Sequence, residues 1–90
     1  MEREIWKRIP HSHYSASNLG RVKNADTGKV LKGSHVNICI RYQWATHNIG
    51  ALVAMAFGLM EAGDKCKITH IDGDKNNNRL DNLRRVDYER

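Results

Sequence analysis

The sequence has little of what would place it among disulfide-built, zinc-ribbon or membrane-spanning proteins. Only two of its 90 residues are cysteine, Cys39 and Cys66, far apart and without a Cys-x-x-Cys pair. That excludes a disulfide framework and a zinc ribbon, and leaves reduced, buried thiols as the expectation. The longest apolar stretch, Gly50 to Met60, falls well short of the roughly 20 residues needed to cross a bilayer. Charge begins at the second residue, so the amino terminus does not read as a secretory signal. A soluble intracellular protein, cytoplasmic in its cell, is the expectation. With a single proline, no Pro/Gly/Ser-rich linker and no internal repeat, the chain reads as one run of short elements.

What is present is a foldable composition with a basic bias. Charged residues make up 28% and hydrophobic ones 40%, a balance that argues against disorder. At this length only about 60–65% of the unfolded chain's surface can be buried, so one domain with an open surface site is expected. The formal charge is +5 with a pI near 9.5, which points to a polyanionic partner. Residues 1–45 hold eight basic and three acidic side chains, and residues 46–90 hold seven of each. The first half is therefore the electrostatic candidate for phosphate contact, although a basic half also serves simply as a solubilising surface.

Periodicity sketches an α+β chain with small antiparallel sheets and two short helices. Glu4 to Ile9 suggests a strand or turn, Asn18 and Gly20 a turn before a strand opening at Arg21, and Asp26 to Gly28 a second turn leading to Val30 and Leu31. Val36, Ile38 and Ile40 alternate with Asn37 and Cys39 as in a half-buried strand. Trp44 to His47 supplies its return across a turn at Arg41 to Gln43. From Asn48, the expected N-cap, Ile49, Leu52, Val53, Ala56, Phe57 and Met60 form one apolar helical stripe that Gly58 or Gly63 would end. Lys67 to Ile71 reads as a strand, Asp72 to Asn78 as a polar loop. Asn78 would cap a last short helix with Asp81 in its first turn and Leu80 and Leu83 on its buried side. No crossover long enough for a parallel sheet is available.

The run Thr69-His70-Ile71-Asp72-Gly73 to Asn82-Leu83, with His70 and Asn82 twelve positions apart, resembles the core of the HNH endonucleases of phages and mobile introns. Leu52 to Phe57 resembles the helix that precedes that core. Glu4 to Trp6, Tyr14, Ser17-Asn18 and Gly20 to Lys23 resemble the modular segment, thought to contact DNA, that often sits before phage HNH domains. The resemblance covers nearly the whole chain. It implies a ββα-metal core over residues 35–90 with an amino-terminal DNA-contact segment over residues 1–34. His70 takes the place of the general base and Asn82 that of the helix asparagine orienting the loop. Such an enzyme sets one divalent metal beside the scissile phosphate while the histidine takes a proton from the attacking water.

Several positions depart from the family pattern. Thr69 stands where a metal-binding Asp, His or Asn is usual. The second ligand, expected about nine residues after the asparagine in this one-metal design, would fall one position past Arg90. Gly50-Ala51 replaces a His-Arg pair, and Arg85 replaces a Trp. No metal ligand is therefore assigned and no cofactor is expected, Mg²⁺ or another divalent ion being the exception if the chain cleaves. Asp72 and Asp74 read as turn-formers, and His47 as structural. His11 and His13 lack acidic or cysteine partners for a metal. Trp6, Tyr14 and Trp44 read as core anchors.

Arg21, Lys23, Lys29 and Lys32 are the candidate phosphate contacts of the first half. Lys75, Arg79, Arg84 and Arg85 flank the catalytic face. Three readings stay open: a phage-type HNH-like protein that binds double-stranded DNA with little or no cleavage, an active metal-dependent nicking enzyme, and an inhibitor that binds a host protein through a retired nuclease scaffold.

Overall fold

The computed structural model describes residues 3–33, 35–61 and 66–87. Its elements are β1 (Trp6–Arg8), β2 (Tyr14–Ser17), β3 (Val22–Asn24), β4 (Val30–Leu31), β5 (His35–Ile40), β6 (Gln43–Asn48), α1 (Ile49–Ala56), β7 (Cys66–His70), a 3-10 turn (Leu80–Asn82) and β8 (Leu83–Asp87). All pairings are antiparallel: a four-stranded meander β1-β2-β3-β4 and two ribbons, β5-β6 and β7-β8. This is the α+β arrangement of small sheets that the patterning implied.

The turns form where side chains bond their own backbone. Ser17 Oγ accepts from the N–H groups of Leu19 (3.2 Å) and Arg21 (3.1 Å), closing the turn in which Gly20 adopts φ +90°. Asn24 Oδ1 accepts from the N–H groups of Asp26 (2.8 Å) and Thr27 (3.2 Å), an Asx turn between β3 and β4. Arg41 and Tyr42 alone turn the β5-β6 ribbon, both at positive φ (52° and 65°), as a two-residue hairpin matched to strand twist requires.

Asn48 caps α1, its Oδ1 accepting from Ala51 N–H at 2.7 Å. The helix ends on Gly58 (φ 78°), with Leu59 N–H donating to Ala54 O (2.8 Å) and Gly58 N–H to Met55 O (3.4 Å). Those two bonds satisfy carbonyls the last turn would otherwise leave open.

The core gathers Ile9, Ala16 and Val22 of the meander, Val36, Ile38 and Ile40 of β5, Ile49, Leu52, Val53 and Met55 of α1, and Leu83. Leu52 and Val53 are wholly buried, each worth about 1.5–3 kcal/mol relative to exposure. Ala56, Phe57 and Leu80 pack against this cluster from partly buried positions.

Four expectations are corrected. Trp44 is no core anchor: it is 66% exposed, because it pairs with Cys39 on the outward set of a ribbon whose inward set is Val36, Ile38 and Ile40. Trp6 is half-buried and lies outside the core cluster, its ring covered by the Arg21 and Lys23 side chains instead. Tyr14, by contrast, does pack against the core. Cys39 and Cys66 are free thiols but only half-buried. The helix expected after Asn78 is a single 3-10 turn, and from Leu83 the chain extends as β8. Asn78 does not cap that turn; Arg79 precedes it without a side-chain capping bond. The long-range ladder Cys66↔Asp87 to His70↔Leu83 satisfies the backbone in place of helical bonds.

Candidate functional site

The β7-β8 ribbon is joined by a polar loop, residues 71–82, that places the sequence-derived catalytic pair at its two roots. His70 is the last residue of β7 and pairs with Leu83, next to Asn82. Asn82 is buried and makes three side-chain bonds: its Oδ1 accepts from Asp72 N–H (3.1 Å), and its Nδ2 donates to Asp72 Oδ1 (2.9 Å) and Asn77 O (2.9 Å). Ile71 N–H donates to Asn82 O (2.9 Å). The asparagine thus cross-braces the loop from the 3-10 turn rather than from a helix.

Asp72 is the loop's hub. Its Oδ2 accepts from Asn77 Nδ2 (2.9 Å), and its Oδ1 accepts from Asp74 N–H (2.8 Å) as well as from Asn82. The Asn77 amide, then the Asp74 N–H and the Asn82 amide, with a smaller contribution from His70, hold its carboxyl below the usual range. Asp74 Oδ1 accepts from Asn76 N–H (2.9 Å). Both aspartates therefore shape the turn.

The His70 ring meets Asn78, a residue whose sequence position suggests a helix cap. His70 Nε2 lies 2.7 Å from Asn78 Oδ1. Gly50, in the first turn of α1, makes room: a Cβ there would stand 3.0 Å from Asn78 Oδ1 and 3.5 Å from His70 Nε2. The only signal for this was the run Asn76-Asn77-Asn78, which reads equally as turn chemistry.

Thr69 Oγ1 donates to Arg84 O across the ribbon (3.4 Å). Among the described residues no group of three His, Cys, Asp or Glu side chains is arranged to hold a metal ion. Both Asp72 carboxylate oxygens are already engaged within the loop.

The candidate cations divide into groups. Arg21 and Lys32 border a surface cleft that reaches Asn76 and Asn78. A second cleft, lined by His35, Asn48, His70 and Lys75, shares those two asparagines. The two clefts therefore join Arg21, Lys32 and Lys75 to His70 along one surface.

Lys23 lines neither of these two clefts; its Nζ lies 4.2 Å from the Trp6 ring centroid. Arg21 sits 5.3 Å from the same ring and forms a two-pronged ion pair with Glu4, Nε donating to Oε2 at 2.8 Å. That pairing lowers the Glu4 carboxyl. Lys29 and Arg84 are exposed. Arg85 bonds Asp87 (2.8 Å) and Leu59 O (3.0 Å), and Arg79 approaches Asp81 at 3.6 Å. Of the outlying histidines, His13 does have an acidic neighbour that its sequence surroundings do not show, Asp26 at 3.1 Å, and His11 Nε2 meets Arg41 at 3.0 Å.

Comparison with known proteins adds a lineage to this geometry. Residues 4–39 match the NUMOD4 motif, and residues 52–87 match the HNH endonuclease family. Over 91 aligned residues the chain is 35% identical to an uncharacterized HNH endonuclease of Acanthamoeba polyphaga mimivirus, covering 89% of this chain and 23% of that protein. A solved structure concerned with DNA binding and cleavage by the HNH homing endonuclease I-HmuI is similar with TM-score 0.73 and 33% identity, covering 97% of this chain and 53% of that one. The chain spans less than a quarter of the first relative and about half of the second.

Proposed function

Since the chain belongs to the HNH endonuclease family and carries a NUMOD4 motif ahead of its HNH segment, we propose that it binds double-stranded DNA, with little or no cleavage by its own residues. The observation that carries the binding half is the pair of adjoining clefts. They set Arg21, Lys32 and Lys75 in line with His70 and leave polar asparagines between them. Cations spaced along one surface suit the phosphates of a duplex, and the similar homing endonuclease is itself a DNA-binding protein. Lys23, Lys29 and Arg84 extend the charge beyond the clefts. Glu4 shares Arg21 with any phosphate that approaches.

The second half of the proposal rests on Thr69. A neutral hydroxyl stands beside the histidine that occupies the general-base position, and it is turned to the Arg84 carbonyl. A base alone contributes about 10²–10⁴-fold, far less than phosphodiester cleavage demands. The opposing reading, an active nicking enzyme, is favoured by one observation: the His70 ring is held in a definite orientation by Asn78.

Two measurements test the proposal. Duplex binding by fluorescence anisotropy should weaken steeply between about 50 and 200 mM salt, as release of condensed counterions requires. No binding at low salt overturns the DNA reading and promotes the one in which the scaffold meets a host protein. Incubation of supercoiled plasmid with the chain and Mg²⁺ or Mn²⁺ should leave it intact. Metal-dependent nicking that His70→Ala abolishes decides for the active enzyme.

A further inference from the structure

Three separate parts of the fold meet at Asn78. The turn between β2 and β3 presses on its backbone: a Cβ on Gly20 would stand 2.8 Å from Asn78 C and 2.9 Å from Asn78 O. One residue on from Arg79, Leu80 N–H donates to Asn18 O at 2.8 Å, tying the same turn to the chain just after Asn78. The first turn of α1 faces its side chain through Gly50. The amide then reaches the His70 ring, 2.7 Å away, from a residue that is only 9% exposed.

A carboxamide oxygen can only accept, so the imidazole nitrogen facing it must donate. We infer that Asn78 is the positioning residue of His70: its Oδ1 fixes the ring with the proton on Nε2, leaves Nδ1 as the nitrogen open to a new proton, and is itself held by the close approach of Gly20. The inference deepens the reading of His70 as the base and rests on that reading only for what Nδ1 would do. The ring state itself is independent of cleavage. The charged and titratable groups near the ring are Lys75 and His35, which line the same cleft, and Asp72, whose carboxylate is close enough to interact with it.

The test is long-range ¹H–¹⁵N correlation spectroscopy of the intact chain with labelled histidine. Among the five histidines, the His70 signals are assigned by their loss in His70→Ala. Wild-type His70, when neutral, is expected in the Nε2–H form. Asn78→Ala should give a mixture of the two neutral forms, with amide dispersion showing that the fold persists. Asn78→Asp keeps the shape and leaves an acceptor oxygen toward the ring, so neutral His70 should stay in the Nε2–H form that Asn78→Ala loses. A wild-type ring protonated on Nδ1 overturns the inference, because the Asn78 amide would then present its nitrogen. So does an Asn78→Asp protein whose neutral His70 is a mixture of the two forms, and this near-isosteric variant decides the matter should Asn78→Ala unfold.

Discussion

Replacing Gly20 by alanine should destabilise the protein far more than the same change at Gly28, and the difference measures the contact between the amino-terminal meander and the β7-β8 loop. Both glycines sit at positive φ, +90° and +77°, where an L side chain costs about 1–2 kcal/mol. A stiffer unfolded chain offsets part of that cost, by about 0.4–1 kcal/mol. At Gly28 nothing lies within 4 Å of the added Cβ, so about 1 kcal/mol is all that should be lost there. At Gly20 the Cβ would fall 2.8 Å from Asn78 C, 2.9 Å from Asn78 O and 3.2 Å from Arg79 N. These are backbone atoms, not the free end of a side chain, so the loop must move as a unit. That adds the cost of overpacking, about 1–3 kcal/mol. Gly20→Ala should therefore lose about 2–4 kcal/mol in total, against native stabilities of about 5–15 kcal/mol. Urea denaturation with equal m-values would read the loss directly. In thermal unfolding each 1 kcal/mol should shift the midpoint of a domain this size by about 4–8 °C. If Gly20→Ala and Gly28→Ala agree within about 0.5 kcal/mol, close to the usual error of additivity for independent sites, the meander does not press on the loop and the account of Asn78 loses its support.

Replacing Arg21 and Lys23 together by alanine should flatten the dependence of log K on log salt for duplex DNA, each lost phosphate contact removing about 0.9 from the slope in B-DNA; an unchanged slope removes both from the interface. Glu4→Gln should do the reverse, tightening binding at low salt, because it frees the two-pronged Arg21 fork now engaged by the Glu4 carboxylate; weaker binding would mean that the ion pair organises the site instead. Acid should loosen the loop. The Asp72 carboxyl is lowered in the fold, so its contribution to stability is present above the unfolded value of about 3.9 and lost as pH falls through the folded one. Stability curves of Asp72→Asn should be flatter than wild type over that acidic range, and parallel curves would show that the carboxylate does not brace the turn.

What the sequence made legible follows from how local each signal is. The β5 strand could be read because its alternation is contiguous, and α1 because Asn48 and Gly58 mark its ends within a single stretch of chain. Trp44 was misjudged because size alone suggests burial, while pairing register decides which face a residue takes. β8 was misjudged for a related reason: Leu83 to Asp87 has no period of its own and becomes a strand through partners 13–21 positions earlier. The His70 and Asn82 pair was visible as a motif, but Asn78 was not, because its role depends on empty space at Gly50 and Gly20 contributed by two distant segments. The engagement of Arg21 by Glu4 spans 17 positions, and no count of charges reveals it.

These non-local contacts also explain how so small a domain holds a polar site without burying it deeply. The apolar core stops at Leu83, and between residues 71 and 82 only Asn78 and Asn82 are buried. The loop keeps its shape through directional bonds among Asp72, Asp74, Asn77 and Asn82, and among the described residues no buried side-chain nitrogen or oxygen lacks a partner. Apolar packing tolerates changes of shape at similar volume, whereas a directional network loses function when one donor becomes an acceptor. The two halves of the molecule should therefore respond differently to conservative change. Leu52→Met alters packing and should leave the His70 ring as it is. Asn82→Asp keeps the side chain's shape, yet sets a second carboxylate against Asp72 and removes two donated bonds, so the geometry around His70 should collapse while the core remains folded.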